Sequence, residues 1–568
     1  MMLDNGKLIL STLLLALAAS VGLRAQSNFA ATVIDESNGE ALPYVVVSDL
    51  RTKYTTYSDA LGMVSIPDVQ AGDSIMFFSI GYQKKYIVFQ LQTRYSEIAM
   101  TPVAYDLKEL VIRANDTFLY DLIEKAQRNT PKETTAAKTY FQLETKVNEQ
   151  QVELVECYYN GTFEGNDISK LDLKNGRIAL LPFDERMYTS TEGSKSIYLH
   201  KLFSKNSYFP DSPLELRGKK LKQRYRLEYA GEYLNEAKEK VCVIDFFPKK
   251  NQDQSFEGKI WMLEKTGALV RVEFRAMNTK TFPFAPIGAA DSLYDVNLFI
   301  TKNFDQDQGK TRLRSIDFSY HLEYLTNLGD RKQLETSALL VPYDYQHLFT
   351  LPQFSFSTGT YEDYVKIQAV PYNEIFWNNN QEFVIEATRQ RVASFIENPA
   401  VLTNQTGFRT ERYRSKDLLE RGYVFWNDTT DIRFKTIRID TAEYARYQLL
   451  PPVERYHIEV QLYMDVNIIN GQLETLTATI YDPFQSYYYF PITAEANAFI
   501  NLYFDLVEMH RRRLETLIAI SKTEAELLQY YSEVKRELSI ASTKFFREVD
   551  RGTNPPQMEN WRKKIILQ

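Results

Sequence analysis

Apolar and polar positions along this chain follow three rhythms. Leu8 to Leu23 is almost wholly apolar, behind a short polar start with Lys7 and ahead of Arg24-Ala25-Gln26-Ser27. The run falls short of the ~20 residues a membrane-spanning helix needs. Ala25 supplies the small side chain beside which a signal peptidase cuts, so 1–27 reads as a removable export signal. No Cys follows it, so no lipid-modified N-terminus is expected. From Phe29 to about Pro342 the dominant rhythm is alternation, the mark of strands with one buried face. Around Asn115–Arg128, Gln381–Glu397 and Thr493–Phe545 it changes to helical spacing.

Up to Thr101 the predicted strands are short: Ala31–Asp35, Leu42–Val47, Met63–Ile66, Ser74–Ile80 and Tyr86–Leu91. Their spacing predicts a β-sandwich. Asp59 and Asp73 sit in its turns and read as turn-capping carboxylates, because no dense oxygen-ligand loop surrounds them. A strand at Tyr105–Arg113 and a helix capped by Asn115 or Asp116 follow. Between Lys138 and Pro342 the alternating runs are long: Tyr140–Val147, Val152–Phe163, Arg224–Glu232, Lys240–Phe247, Phe256–Leu263, Leu269–Phe274, Leu293–Thr301, Arg312–Tyr324 and Gln333–Val341. The last region begins with strands near Gly422–Asn427, Arg433–Asp440, His457–Ile468 and Thr475–Tyr481. Two helices close it, one from cap Thr493 to Ile520 and one from a capping box at Thr523 and Glu526.

The fold class expected is therefore mainly β with helices: an N-terminal β-sandwich, a central curved antiparallel sheet of half-barrel type, and a C-terminal α+β domain ending in a helical hairpin. The boundaries are 1–27 for the signal, 28–103 for the sandwich and 104–136 for a linker strand and helix. The curved sheet takes 137–350, a linker with a helix 351–410, and the C-terminal domain 411–568, with Asn404–Lys416 as a polar boundary.

Composition narrows the function. A net charge of −7 leaves no strongly basic face, so nucleic acid is not an expected partner. The two Cys, Cys157 and Cys242, are too few for a Cys-rich zinc site. Both fall in strand-like segments. An oxidising compartment would allow a disulfide between them, and two separate buried thiols is the other reading. The five His (His200, His321, His347, His457 and His510) are scattered, and His510 with Glu508 and Arg511–Arg513 reads as a solvated helix face. No Gly-rich phosphate loop occurs, and no cofactor is expected.

Three stretches resemble known families. Val33-Ile34-Asp35, Gly39, Leu42-Pro43, Ser58-Asp59, Gly62, Gly72-Asp73 and Gly81-Tyr82 resemble the carboxypeptidase-regulatory-like domain of exported Bacteroidetes proteins. That resemblance implies an immunoglobulin- or transthyretin-like spacer without catalytic residues. Gly258-Lys259-Ile260-Trp261-Met262, a turn at Lys265-Thr266-Gly267, and Leu269-Val270-Arg271-Val272 resemble a hairpin of lipoprotein-carrier-like half-barrels. There the concave face can hold an acyl chain or be filled by a helix, and the aromatic-rich strands favour a filled face.

The third resemblance is to secreted zinc-metallopeptidase-like proteins. Leu502 to Leu514 is similar to their helix, which reads His-Glu-x-x-His-Phe-Asp, and Arg547 to Asn554 with Gln557 and Trp561 is similar to their tail. A zincin needs two imidazoles four residues apart with a carboxylate beside the first. Here those positions hold Phe499, Ile500 and Tyr503, and Arg551 replaces the tail His. No metal-bound hydroxide is expected there. The expectation is an exported, periplasmic or outer-membrane-associated pseudoenzyme with no catalytic or metal site, acting as a binding or scaffold protein. Its partner would be an envelope protein, a lipid or a glycan. A periplasmic lipid or lipoprotein carrier, or a hydrolase with other ligands, is the alternative.

Overall fold

The computed structural model describes residues 28–90, 97–103, 117–130, 133–184, 197–250, 252–286, 288, 290–307, 310–356, 366–367, 370–380, 385–404, 423–427, 432, 449, 451–469, 471–483 and 485–566. The export signal, the strand Tyr105–Arg113 with caps Asn115 and Asp116, the boundary beyond Asn404, and the strand Arg433–Asp440 lie outside these residues. The chain forms two compact units, one of Met1–Tyr105 with Gln381–Ser394, the other of Asp106–Asn380 with Phe395–Gln568.

The first unit is a sandwich. Its strands are β1 (Phe29–Asp35), β2 (Val46–Asp49), β3 (Thr55–Tyr57), β4 (Met63–Ile66), β5 (Ser74–Phe78), β6 (Lys85–Val88) and β7 (Glu97–Met100). Sheets β4-β1-β7 and β3-β2-β5-β6 enclose Phe29, Val33, Val47, Ile66, Ile75 and Phe77. The second predicted strand starts later than expected, because Pro43 precedes Tyr44 at φ 57° and the extended run begins beyond that turn. Asp59 accepts the N–H groups of Leu61 and Met63, each at 2.9 Å, and Asp73 accepts that of Gln70 at 2.7 Å, as turn-capping carboxylates do. The helix Glu386–Ile396 packs here through most of its length: Arg391 lies 3.2 Å from the fully buried Asp59 carboxylate, and the Glu386 N–H donates to Thr56 Oγ1. Burial, with the nearby Glu386 carboxylate, pushes the Tyr54 phenol up to about 12.

The second unit is built on an eleven-stranded antiparallel sheet. Its strands are β8 (Thr134–Val147), β9 (Gln150–Glu164), β10 (Asp167–Leu180), β11 (Tyr225–Leu234), β12 (Lys240–Pro248), β13 (Glu257–Leu263), β14 (Leu269–Ala276), β15 (Ser292–Asp307), β16 (Lys310–Leu325), β17 (Arg331–Asp344) and β18 (Leu402–Thr403). The order is β11-β12-β13-β14-β15-β16-β17-β8-β9-β10-β18, so β17 returns to pair with β8 and the sheet stays open. Register shifts in the β9–β10, β11–β12, β13–β14 and β15–β16 pairs mark bulges, which bend and twist the strands that carry them. The sheet is curved, and it is not a closed barrel.

Its inner face is filled by the chain itself. Leu119, Leu122, Ile123 and Ala126 of the helix Thr117–Arg128, and Leu202, Phe209, Leu214 and Leu221 of the β10–β11 connection, share one core with Phe141, Ile260, Phe274, Phe318 and Leu340 of the strands. At ~1.5–3 kcal/mol for each large side chain buried, this packing holds both elements on the sheet. The helix end is fixed by the β13–β14 turn. Gly267 (φ 73°) lets that turn approach so closely that a Cβ would sit 3.0 Å from Ala126 N, and Lys125 Nζ donates to Glu264 O at 3.2 Å.

The C-terminal part adds β19 (Val424–Phe425), β20 (Tyr456–His457), β21 (Val460–Ile469), β22 (Gln472–Tyr481) and β23 (Tyr487–Tyr488), with helices Ala494–Ile518, Glu524–Val549 and Pro555–Ile566. The sheet β19-β22-β21 packs on the first helix. Thr493 caps that helix, and the Thr523–Glu526 capping box starts the second. The expected hairpin is followed by a third helix, started by Pro555 and Pro556, whose fixed φ suits a first turn. A bulge in β10 turns Lys174 toward this domain. There its ammonium meets Asp465 at 2.5 Å, with side chains 1% and 0% exposed.

The disulfide reading is corrected. Cys157 and Cys242 are both buried and no disulfide joins them. Six strands lie between β9 and β12 in the sheet, and Cys157 faces Phe141 and Gly176 while Cys242 faces Glu232 and Met262. Bridging would need Cα atoms within about 7 Å.

Candidate functional site

Two places deserve the name of site on chemical grounds: the peptidase-like positions and the mouth of the curved sheet. Phe499 and Ile500 are fully buried and Tyr503 is 7% exposed on the first C-terminal helix. Phe499 stacks on Phe545 at 5.7 Å and meets Tyr456 edge-on at 6.1 Å. Tyr503 lies 4.6 Å from Phe546, and burial pushes its phenol up. Arg551 closes the same cluster from below the second helix, its guanidinium 4.3 Å over Phe490, which itself lies 6.3 Å from Tyr456. Gly552 allows this approach: at φ 88°, a Cβ would stand 2.5 Å from Glu495 O. The structure thus gathers Phe499, Tyr503 and Arg551 around one aromatic nest. Packing of aromatic rings at these distances stabilises a core; Phe499 and Ile500 have no donor atom for a metal, and the Tyr503 phenol is turned to Ser542 Oγ at 3.4 Å.

The solvated reading of His510 and Glu508 is corrected. Glu508 is 2% and His510 6% exposed. The Glu508 carboxylate takes Arg511 at 2.7 Å, Arg512 at 3.1 Å and the Thr479 hydroxyl at 3.0 Å, a hydrogen-bonded network that makes its burial tolerable. His510 Nδ1 lies 2.8 Å from Leu506 O, and burial holds its imidazole below the usual range. His200, also buried, belongs to the β10–β11 connection, while His321, His347 and His457 are scattered on the surface beside Glu335, Asp344 and Glu459.

At one end of the curved sheet the strand ends surround a cavity of about 610 Å³. Its wall is formed by Asn129 at the end of the helix, Glu133 and Thr135 at the start of β8, and Gly165 in the β9–β10 turn. Ala237, Glu239, Leu263, Thr266 and Ala268 line it from the β11–β12 and β13–β14 turns, and Gln306, Lys310, Thr311 and Arg312 from the β15–β16 end. Lys310 pairs with Glu133 at 2.6 Å. Asn129 Nδ2 donates to Thr266 O at 2.7 Å, so the helix forms one fixed side of the opening. The volume falls within the ~300–1,000 Å³ of small-ligand sites. Sequence reasoning named Thr266 as part of the carrier-like hairpin turn but none of these residues as a binding group, since each is an ordinary turn or strand-end position and only the curvature brings them together.

No protein-family model matches the sequence, and no curated protein matches it either. Among solved structures, a LolA superfamily protein from Nitrosomonas europaea is 11% identical, covering 40% of this chain and 93% of that chain at a TM-score of 0.14. MucB of Pseudomonas aeruginosa, solved with MucA, is 7% identical, covering 39% of this chain and 92% of that chain at 0.15. An outer membrane lipoprotein-sorting protein domain from Vibrio parahaemolyticus is 12% identical, covering 38% and 90% at 0.16. The last of these titles names lipoprotein sorting, which partly matches the resemblance of the central hairpin, but at such scores the likeness carries no argument about what this chain binds. No helix among the described residues is long and apolar enough to cross a membrane.

Proposed function

We propose that this protein is an exported, non-catalytic binding and scaffold protein of the cell envelope, with a pseudopeptidase C-terminal domain. The observation that carries the reading is the inner face of the curved sheet. The chain's own helix and β10–β11 connection occupy it, and a cavity stands at its rim. A lipid carrier would need that face for acyl chains, and would have to displace a core that includes Leu122, Ile123, Leu202 and Phe209. At the positions set against the zinc ligands, Phe499 and Ile500 have no donor atom, Tyr503 offers a phenol rather than an imidazole, and Arg551 is a cation, so the two imidazoles and the carboxylate that zinc hydrolysis needs are missing. The purified full chain should contain no stoichiometric zinc by elemental analysis and should leave fluorescently labelled casein intact with or without added zinc. Zinc bound one to one, or cleavage that survives repurification and vanishes on chelation, would overturn the proposal.

A further inference from the structure

We infer that the rim cavity is a slot for an extended peptide, which would lie in line with β17 between β8 and β16; this deepens the binding reading and rests on it. The sheet has a strand missing there. β17 ends at Asp344, whose Oδ1 accepts the N–H groups of Gln346 (2.8 Å) and His347 (3.0 Å) and so turns the chain out of the ladder. β8 extends past that point: among the described residues, Thr134–Ala137 pair only with β9. On the far side β16 meets β17 only from Ile316 onward, and Lys310 and Thr311 pair only with β15. Thr135 of the first edge and Lys310 and Thr311 of the second line the same cavity. Strands two positions apart stand ~9.6 Å from each other, at ~4.8 Å per step, which is the room one extended chain needs. The inner end of the gap already shows the substitution in miniature, because the Leu313 carbonyl accepts the Tyr345 hydroxyl at 2.5 Å.

The chemistry of the wall selects among ligands. The lining holds two cations, Lys310 and Arg312, and two carboxylates, Glu133 and Glu239, so an anion finds no surplus of positive charge. An acyl chain would strip water from the main-chain groups of the two edges and from the hydroxyl of Thr135 without replacing its hydrogen bonds. Among the described residues, no aromatic side chain lines the cavity to seat a sugar ring. A peptide main chain, neutral and alternating donor with acceptor, satisfies both edges, as in recognition by strand addition. Thr134–Ala136, the part of that edge not fully buried, correspond to ~10 Å of extended chain.

The test uses the full chain and a phage-displayed random dodecapeptide library. An enriched peptide is synthesised, its affinity measured by fluorescence anisotropy, and its amides N-methylated one at a time. A chain held on both sides uses every N–H, so methylation at each of about three consecutive positions should weaken binding tenfold or more. Amide exchange should slow when the peptide is added at those N–H groups of Thr134–Ala136, Lys310 and Thr311 that face the gap. Thr135→Trp and Thr311→Trp should each weaken binding at least tenfold; should either fail to fold, the N-methyl scan on the unaltered protein decides alone. Loss at alternate positions only would mean addition to a single edge and overturn the slot. No enriched peptide, or affinity indifferent to methylation, would overturn the inference while leaving the binding reading to its own test.

Discussion

Replacing Asp465 with Asn isolates the strongest single link between the curved sheet and the C-terminal domain. Lys174 Nζ makes three contacts, to Asp465 Oδ1 (2.5 Å), Thr350 O (2.7 Å) and Val466 O (2.9 Å). The other Asp465 oxygen accepts from Asn373 (3.1 Å) and Asn467 (3.0 Å). Removing one member of such a pair costs ~3–5 kcal/mol, because a buried charge is left uncompensated. Proton loss sets a ceiling: neutralising a lysine of ordinary pKa ~10.4 at pH 7 costs ~4.6 kcal/mol, at 1.36 kcal/mol per pH unit. Burial already draws the Lys174 ammonium below its usual range, with Asp465 as the opposing attraction. D465N should therefore lose ~3–4.5 kcal/mol in urea unfolding at pH 7, followed by tryptophan fluorescence. The pH sign is fixed as well. In the variant the folded lysine has a depressed pKa, the unfolded chain binds more protons, and stability rises with pH until ~10.4. The double variant K174M/D465L removes the uncompensated charge but leaves the Thr350 and Val466 carbonyls and the Asn373 and Asn467 amides without their partner, so it should recover only part of the loss. A D465N variant within 1 kcal/mol of the parent, or a double variant no more stable than the single, would refute the reasoning.

Other outcomes follow from the same packing. His200 stands 5.1 Å from Phe209 and Phe274, with neither ring nitrogen hydrogen-bonded, and burial beside Lys302 and Lys201 holds its pKa well below the usual value. Its folded pKa lies below the unfolded ~6.5, so stability falls as pH drops below 6.5; H200F should gain ~1–2 kcal/mol and flatten that acid limb in a series of urea titrations. Burial pushes the Asp317 carboxyl up to about 8 despite Arg271. Stability should therefore fall as pH rises from ~4 through 8, and D317N should exceed the parent by ~1 kcal/mol or more at pH 9, but not at pH 4, in thermal unfolding. Gly267→Val meets both a positive φ and the helix backbone, so it should cost ~2 kcal/mol or more and speed amide exchange in Thr117–Arg128, which a surface-neutral change would leave alone.

Alternation alone exposed most of the large sheet, because one side of each strand faces the filled interior: Lys240–Phe247 and Leu269–Phe274 appear almost as written in the sequence. β10 escaped that reading. Its residues Asp167–Leu180 carry Lys174, Asn175 and Arg177, and its two register shifts break the period of two. Those polar groups are buried by partners far along the chain, such as Asp465 and Trp377, whose indole donates to Asn175 at 2.9 Å. The helix Glu386–Ile396 reads as a linker element in sequence, and nothing local says that Arg391 will answer Asp59 more than three hundred residues earlier. The capping residues Thr493, Thr523 and Glu526 were legible because their bonds are local. The mouth of the sheet was not, because its wall is assembled from turn residues that only strand curvature brings together.

The claim on which the account turns is that the inner face of the sheet is kept full by the chain's own helix and loop. Native mass spectrometry of the full chain, released gently from envelope fractions, tests it directly. The account predicts the mass of the mature polypeptide with no acyl-bearing adduct. A stoichiometric adduct of diacyl-lipid mass, lost on delipidation and regained on adding lipid, would contradict it.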